Sequence, residues 1–561
     1  MQAVVQSLIA AIVDAAGVPE NSLERLWDET DGSERDFVAR VAELGLMRES
    51  DVFRLYAESM GLPFENPDVL DLEPEILDLL PEDVVRRYRC LPVRYDDDTL
   101  VVAMEDPLDL LALDTIQEIL NVPVMPCLCP PETLRGGIEY KLRAGRGLDG
   151  LLQGLDLSQM DDSAFSSPQK LKEIAGENAI VQLVDWIIDQ ALRRKASDIH
   201  IEPGKAWLRL RLRIDGRLET VQKLPKPLHS AIISRIKILS VLDISERRRP
   251  QDGRFAKELT VGGAVEFRVS TLPSVDGEKA VLRILDKRNI QLDLDKLGFA
   301  KRDAHLLRSA ANRPNGLILV TGPTGSGKTT TLYGVLDFLN TEDRNLITVE
   351  DPVEYHLAGV TQVQVDRKAD RTFATALRSM MRQDPDVVMV GEIRDHETAE
   401  IAIHAALTGH MVLSTLHTNS SIGTITRLRD MHIASYLLAP TVRAIVAQRL
   451  VRRLCDACAE PHELPQRAID ELELEHTEPS NFRQPRGCRL CRDRGYVGRL
   501  PLHELLVWSG ELADALMAEA SENELLEIAR SQGFRPMLAD GANKARAGLT
   551  TIEEVLTAVR S

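Results

Sequence analysis

Two groups of residues in this 561-residue chain have the types and spacing to do chemistry. The first is Gly322-Pro323-Thr324-Gly325-Ser326-Gly327-Lys328-Thr329, which satisfies G-x-x-x-x-G-K-[ST] and runs on into Thr330. Its glycines let the backbone curl so that amide N–H groups and a following helix N-terminus face an anion. Lys328 would neutralise the outer phosphates of ATP, and the Thr329 hydroxyl suits magnesium. The second group is Cys455-x-x-Cys458 with Cys488-x-x-Cys491, four thiolates that satisfy a tetrahedral zinc ion and leave no position for water. A redox motif would need only one such pair. Cys90, Cys127 and Cys129 lack the spacing and read as small hydrophobes.

Acidic and imidazole groups gather around the phosphate loop in the sequence. RQDPDVVMVGEIRD predicts a core strand ending in Gly391-Glu392, which puts Glu392 where a carboxylate orients attacking water, holds magnesium through water, or does both. LITVEDPVEY delivers Glu350, Asp351 and Glu354 to the same edge, outside the carboxyl ends of parallel strands where ligands bind. His410 and His417 have no Cys or carboxylate at ligand spacing. A γ-phosphate sensor or a hydrogen-bonded core histidine is the reading left for each.

The elements that position these groups follow from periodicity. LILVTG, LITVED and DVVMVGE are short Val/Ile/Leu runs separated by helical stretches, the pattern of a buried parallel sheet. Before them, AIVQLVDWIIDQALRRKA is an amphipathic helix. WLRLRLRIDGRLETV is a hairpin turning at Asp215-Gly216, HSAIISRIKILS a helix, and VEFRVSTLPS and KAVLRILD further strands. Residues 1 to about 60 are helical, and the stretch to Tyr140 reads as strand, hairpin, strand, helix, strand. The fold class is therefore α/β with several domains. Expected boundaries are 1–145 for an N-terminal domain, 146–170 for a Gly/Ser/Asp-rich linker, and 171–290 for a middle domain. The nucleotide core takes 291–450, the tetracysteine subdomain 451–500, and a helical C-terminal region 501–561.

Composition excludes some function classes. The chain carries 68 basic and 87 acidic residues, a net charge of −19, which disfavours binding to nucleic acid. No apolar run approaches the ~18–20 residues that span a bilayer, so membrane association goes through partners. The apolar opening lacks a basic leader and carries Asp14, which argues for the cytoplasm.

From about Asn178 to the C-terminus the chain resembles the ATPases of type II secretion and type IV pilus assembly. The resemblance rests on GPTGSGKTT, ITVEDPVEY, DPDVVMVGEIRDHETAEIAIHAALTGH and GHMVLSTLHTN, in that order, and on ASDIHIEP, RRRPQDGRF and FRVSTLP before them. It implies a RecA-like core behind a PAS-like domain, a homohexamer with ATP between those two domains, and a motor that drives pseudopilus assembly and protein export. It also implies that Arg268, Arg283, Arg378 and Arg382 stabilise phosphoryl charge, that His417 lies by the nucleotide, and that His410 supports the core. The tetracysteine subdomain favours assembly or secretion over retraction. The implied partners are the cytoplasmic part of a bitopic inner-membrane secretion protein, held by the N-terminal domain, and a polytopic platform protein. The location would be peripheral to the inner membrane. A pilus-assembly ATPase is the nearest alternative, and a RecA-like DNA translocase is the alternative of a different class. Some pilus-side members bind cyclic-di-GMP through an N-terminal repeat; here Glu43 stands where an arginine would be expected.

Overall fold

A computed structural model of the chain describes residues 2–30, 33–66, 74–77, 79–96, 99–144, 152, 178–259, 263–286, 292–464, 481–488 and 490–560. The linker expected at 146–170 lies outside these apart from Leu152. The chain divides into two compact units, Met1–Arg288 and Asn289–Ser561.

In the first unit, helices Gln2–Ala16, Glu20–Asp28, Glu34–Glu43 and Glu49–Met60 each turn an apolar stripe onto a shared core. That core includes Leu8, Ile12, Leu23, Phe37 and Phe53. Strands β1 (Cys90–Asp96), β2 (Thr99–Met104) and β3 (Val124–Cys127) follow, β1 antiparallel and β3 parallel to β2. The parallel pairing uses helix Leu110–Leu120 as its crossover. Cys90, Cys127 and Cys129 are all buried here.

The rest of that unit is a six-stranded antiparallel sheet in the order β6-β5-β4-β9-β8-β7. Its strands are β4 (Asp198–Pro203), β5 (Trp207–Ile214), β6 (Arg217–Pro225), β7 (Gln251–Glu258), β8 (Ala264–Ser274) and β9 (Gly277–Leu285). Strict alternation in β5 buries Leu208, Leu210, Leu212 and Ile214 under helices Asn178–Arg193 and Leu228–Leu239. The alternate residues, arginines in the main, stand on the opposite face. The Asp215-Gly216 turn has φ of 49° and 87°, the doubly left-handed turn that matches strand twist.

In the second unit the sheet order is β12-β11-β13-β14-β10-β15-β18. These are β10 (Gly316–Thr321), β11 (Leu346–Glu350), β12 (Val360–Gln364), β13 (Val387–Val390), β14 (Met411–Leu416), β15 (Val442–Leu454) and β18 (Tyr496–Val507), with two-residue strands β16 (Glu460–Pro461) and β17 (Arg483–Gln484) pairing apart. All neighbours are parallel except β15 and β18. Buried cores line both faces, so β10, β13 and β14 are apolar throughout or nearly so. The long antiparallel β15–β18 pair was not read from the sequence, and β18 carries residues 501–507 into the sheet. Four helices from Gly510–Met517 to Ile552–Arg560 complete the chain.

Candidate nucleotide site and tetracysteine cluster

Strand β10 ends at Thr321, and the loop from Gly322 leads into helix Lys328–Leu339, whose N-terminus directs amides at the loop. Two glycines are required by contact as well as by conformation. At Gly322, with φ 146°, a Cβ would fall 2.3 Å from the Gln448 carbonyl oxygen; at Gly327, with φ 88°, it would fall 2.8 Å from Gln448 Nε2. Gln448 itself accepts a 2.7 Å bond from Thr331 and so ties β15 to the helix. Pro323, Thr324 and Gly325 are exposed, and Thr329 and Thr330 are half-buried in the first turn. Ser326 is buried, with its Oγ lacking a partner among the described residues. A backbone cradle with a buried, unspent hydroxyl fits a polyphosphate.

Lys328 donates to the carbonyls of Gly322 (2.8 Å) and Pro323 (3.0 Å). Burial pushes its ammonium down to about 8, with Glu392 opposing and Arg449 assisting. Glu392 follows β13, with 13% of its side chain exposed. Arg394 lies 2.5 Å from one carboxylate oxygen and His417 Nε2 lies 3.6 Å from the other. Burial, helped by Lys328 and opposed by Glu392, lowers the His417 imidazole below its ordinary value. The carboxyl ends of β10, β13 and β14 thus bring Lys328, Glu392 and His417 together. His410 precedes β14 at the opposite edge of the sheet, its Nδ1 2.9 Å from the Ala405 carbonyl.

The remaining predicted residues stand elsewhere. Glu350 is buried and its carboxylate accepts from Tyr333, Thr348 (2.6 Å) and Gln362 (3.1 Å), a hydrogen-bonded network at the end of β11. Asp351 is exposed at the end of the same strand. Arg378 pairs with Glu397 at 2.7 Å on the exposed side of helix Phe373–Met380, and Arg382, in the turn just past the end of that helix, bonds the Arg378 carbonyl at 2.9 Å. Arg268 and Arg283 are cross-strand neighbours on β8 and β9 of the first unit. Sequence reasoning missed Arg394, whose signal was its place two residues after Glu392. It also missed Arg449, which is buried and donates to Asn419 at 2.9 Å in the loop after His417.

The four cysteines converge, with all four sulfurs within 4.8 Å of one another. Sγ separations are 3.8 Å for Cys455–Cys488 and 3.7 Å for both Cys458–Cys491 and Cys488–Cys491. A tetrahedron with metal–sulfur bonds of ~2.3 Å has edges of ~3.8 Å, while a disulfide would bring two sulfurs to ~2.05 Å. Burial works against ionisation at Cys491, but N–H bonds from Cys488 and Gly495, each 3.1 Å, hold its thiol down to about 7.

The type II/IV secretion system protein family model matches residues 173–557. The chain belongs to that family. It is a P-loop ATPase, and the family makes it a secretion or pilus motor. A second model, the MshEN domain, matches residues 60–143. The type II secretion system protein E of Xanthomonas campestris is 40% identical over 98% of this chain and 97% of its own length. The type IV pilus assembly ATPase PilB of Myxococcus xanthus is also 40% identical, over 92% of each chain. The solved structure of the Legionella pneumophila ATPase DotB shares the fold at 23% identity and a TM-score of 0.51, covering 67% of this chain and 95% of that one. Among the described residues no helix is long and apolar enough to cross a membrane.

Proposed function

We propose that this chain is the ATPase of a type II secretion system and that ATP hydrolysis by it drives pseudopilus assembly and protein export. The observation that carries the chemistry is Glu392, a largely buried carboxylate held by Arg394 at the end of β13, in the field of Lys328. In this reading the phosphate loop binds ATP, Lys328 swings from its carbonyl partners to the outer phosphates, and Thr329 holds magnesium. Glu392 aligns the attacking water, and His417 reports the γ-phosphate. Arg268, Arg283, Arg378 and Arg382 supply positive charge to the transition state, the first two from the middle domain. Glu350 acts from below, fixing the end of β11. The cysteine quartet holds structural zinc.

The working form is a homohexamer at the cytoplasmic side of the inner membrane. Its partners are the cytoplasmic part of a bitopic secretion protein and a polytopic platform protein. Near-full-length similarity to a type II protein E supports this system, and equal identity to a pilus ATPase keeps pilus assembly as the second reading. Two measurements test the proposal. Glu392→Gln lowers kcat by ~10²-fold or more while ATP still binds; undiminished turnover would remove Glu392 from the chemistry. Full-length Lys328→Ala, used as bait in host membranes, recovers a bitopic type II secretion protein. Recovery of pilus-alignment proteins instead moves the chain to the pilus branch.

A further inference from the structure

The ASDIHIEP stretch becomes the central strand β4, and its acidic residues stand on the sheet face that carries the arginines. Cross-strand registers place Arg254, Arg268, Arg283, Asp198 and Arg213 in one row over β7, β8, β9, β4 and β5. That row holds four arginines and one carboxylate, and two of the arginines, Arg283 and Arg213, reach it. The carboxylate of Asp198 has only 8% of its side chain exposed, and it accepts from Arg283 Nε at 3.1 Å and from Ser197 Oγ at 2.8 Å. Arg213 Nε lies 3.6 Å away on the other side. The contrast with Glu202, the other acid of the strand, is informative. Glu202 takes Arg211 at 2.6 Å and Lys279 at 2.8 Å and is spent on neutralising them.

Arg283 is gripped by its Nε edge alone. Its terminal nitrogens make no hydrogen bond among the described residues, and its side chain is 60% exposed. An arginine presents two edges to acceptors, and fixing the Nε side leaves the terminal nitrogens as a fork for phosphate oxygens. A long side chain with four rotatable bonds would otherwise search many positions before meeting a phosphate, and small misplacements of a catalytic charge are costly.

We infer that Asp198 is a positioning residue for hydrolysis: anchored by Ser197, it holds Arg283 by Nε so that the guanidinium fork is set for the phosphates of ATP. The inference rests on the proposed role of Arg283. It separates Asp198, a carboxylate that acts through Arg283, from the structural acids around it.

The test is a double-mutant cycle on the full chain, with kcat and KM for MgATP read separately. Arg283→Gln lowers kcat ~100-fold. Asp198→Ala lowers kcat about tenfold with KM within about twofold, because ATP is bound by the phosphate loop and only the transition-state charge is misplaced. Asp198→Asn, which keeps the shape and one oxygen acceptor for Nε, falls between Asp198→Ala and wild type and serves should the alanine variant fold poorly. Asp198→Ala combined with Arg283→Gln is no slower than Arg283→Gln alone. Wild-type kcat in both Asp198 variants beside an impaired Arg283→Gln overturns the positioning role alone. Additive losses do the same by making Asp198 a packing residue. Wild-type kcat in Arg283→Gln overturns the arginine's own role and the inference with it.

Discussion

Lys328 is a lysine that its own fold makes reluctant to be charged. Its ammonium is held by two carbonyls and pushed down to about 8 by burial, so it is cationic below that pH and neutral above it. Phosphate binding needs the cation, and kcat/KM reports groups of the free enzyme. The expected pH profile of kcat/KM for MgATP is therefore flat near neutrality and falls about tenfold per pH unit above roughly 8. The profile of kcat lacks that limb, because bound phosphates restore the charge. A kcat/KM limb no lower than pH 10 would show that Lys328 is solvated like a surface lysine. At this scale Gly322, Gly327, Lys328, Glu392 and His417 were legible because each is named by local context. Arg394 and Arg449 were not, since the meaning of an arginine comes from its partners. Asn419, bonded to Arg449, lies thirty residues away in sequence, in the loop after β14, with β10 standing between that strand and β15.

Elements were legible in proportion to the contrast between their faces. The β5–β6 hairpin announced itself through apolar alternation and Asp215-Gly216, whereas β4 and β7 did not. β4 carries acids that neighbouring arginines and Lys279 make tolerable, and β7 is an edge strand of mixed residues. Long-range pairs of this kind also lock elements together. Lys237, 1% exposed on helix Leu228–Leu239, meets Glu278 of β9 at 2.5 Å and donates to the Glu246 carbonyl at 2.7 Å. Removing one partner strands a buried charge, so Lys237→Met is expected to cost about 3–5 kcal/mol in denaturant unfolding, and Lys237→Met with Glu278→Leu to recover much of it. A loss below 1 kcal/mol for the single change would mean that the pair is wetter than its burial shows. The cysteine quartet calls for a different assay. One zinc per chain is expected by elemental analysis, and Cys458→Ser should abolish it and lower the melting temperature of the second unit. Full zinc retention in that variant would exclude the four-sulfur site.

Across the whole molecule, charge and connectivity decide what kind of motor this is. An excess of nineteen negative charges disfavours gripping a polyanion, so single- or double-stranded DNA should leave ATP turnover unchanged within about twofold at low salt. DNA-stimulated turnover that disappears as salt rises would instead place the chain among translocases. The division into two units bears on the catalytic cycle itself. The phosphate loop, Glu392, His417 and the cysteines belong to residues 289–561, and Arg268 and Arg283 to residues 1–288. Each unit has its own buried core, so the second should fold when expressed alone. It contains every residue proposed to bind ATP and lacks two of the four arginines proposed to stabilise the transition state. The 289–561 fragment should bind ATP within about threefold of the full chain and turn it over at least ~100-fold more slowly, the range in which a missing arginine finger acts. Equal turnover by fragment and full chain would mean that hydrolysis is complete within the second unit, and ATP binding would then have no chemical reason to move the first.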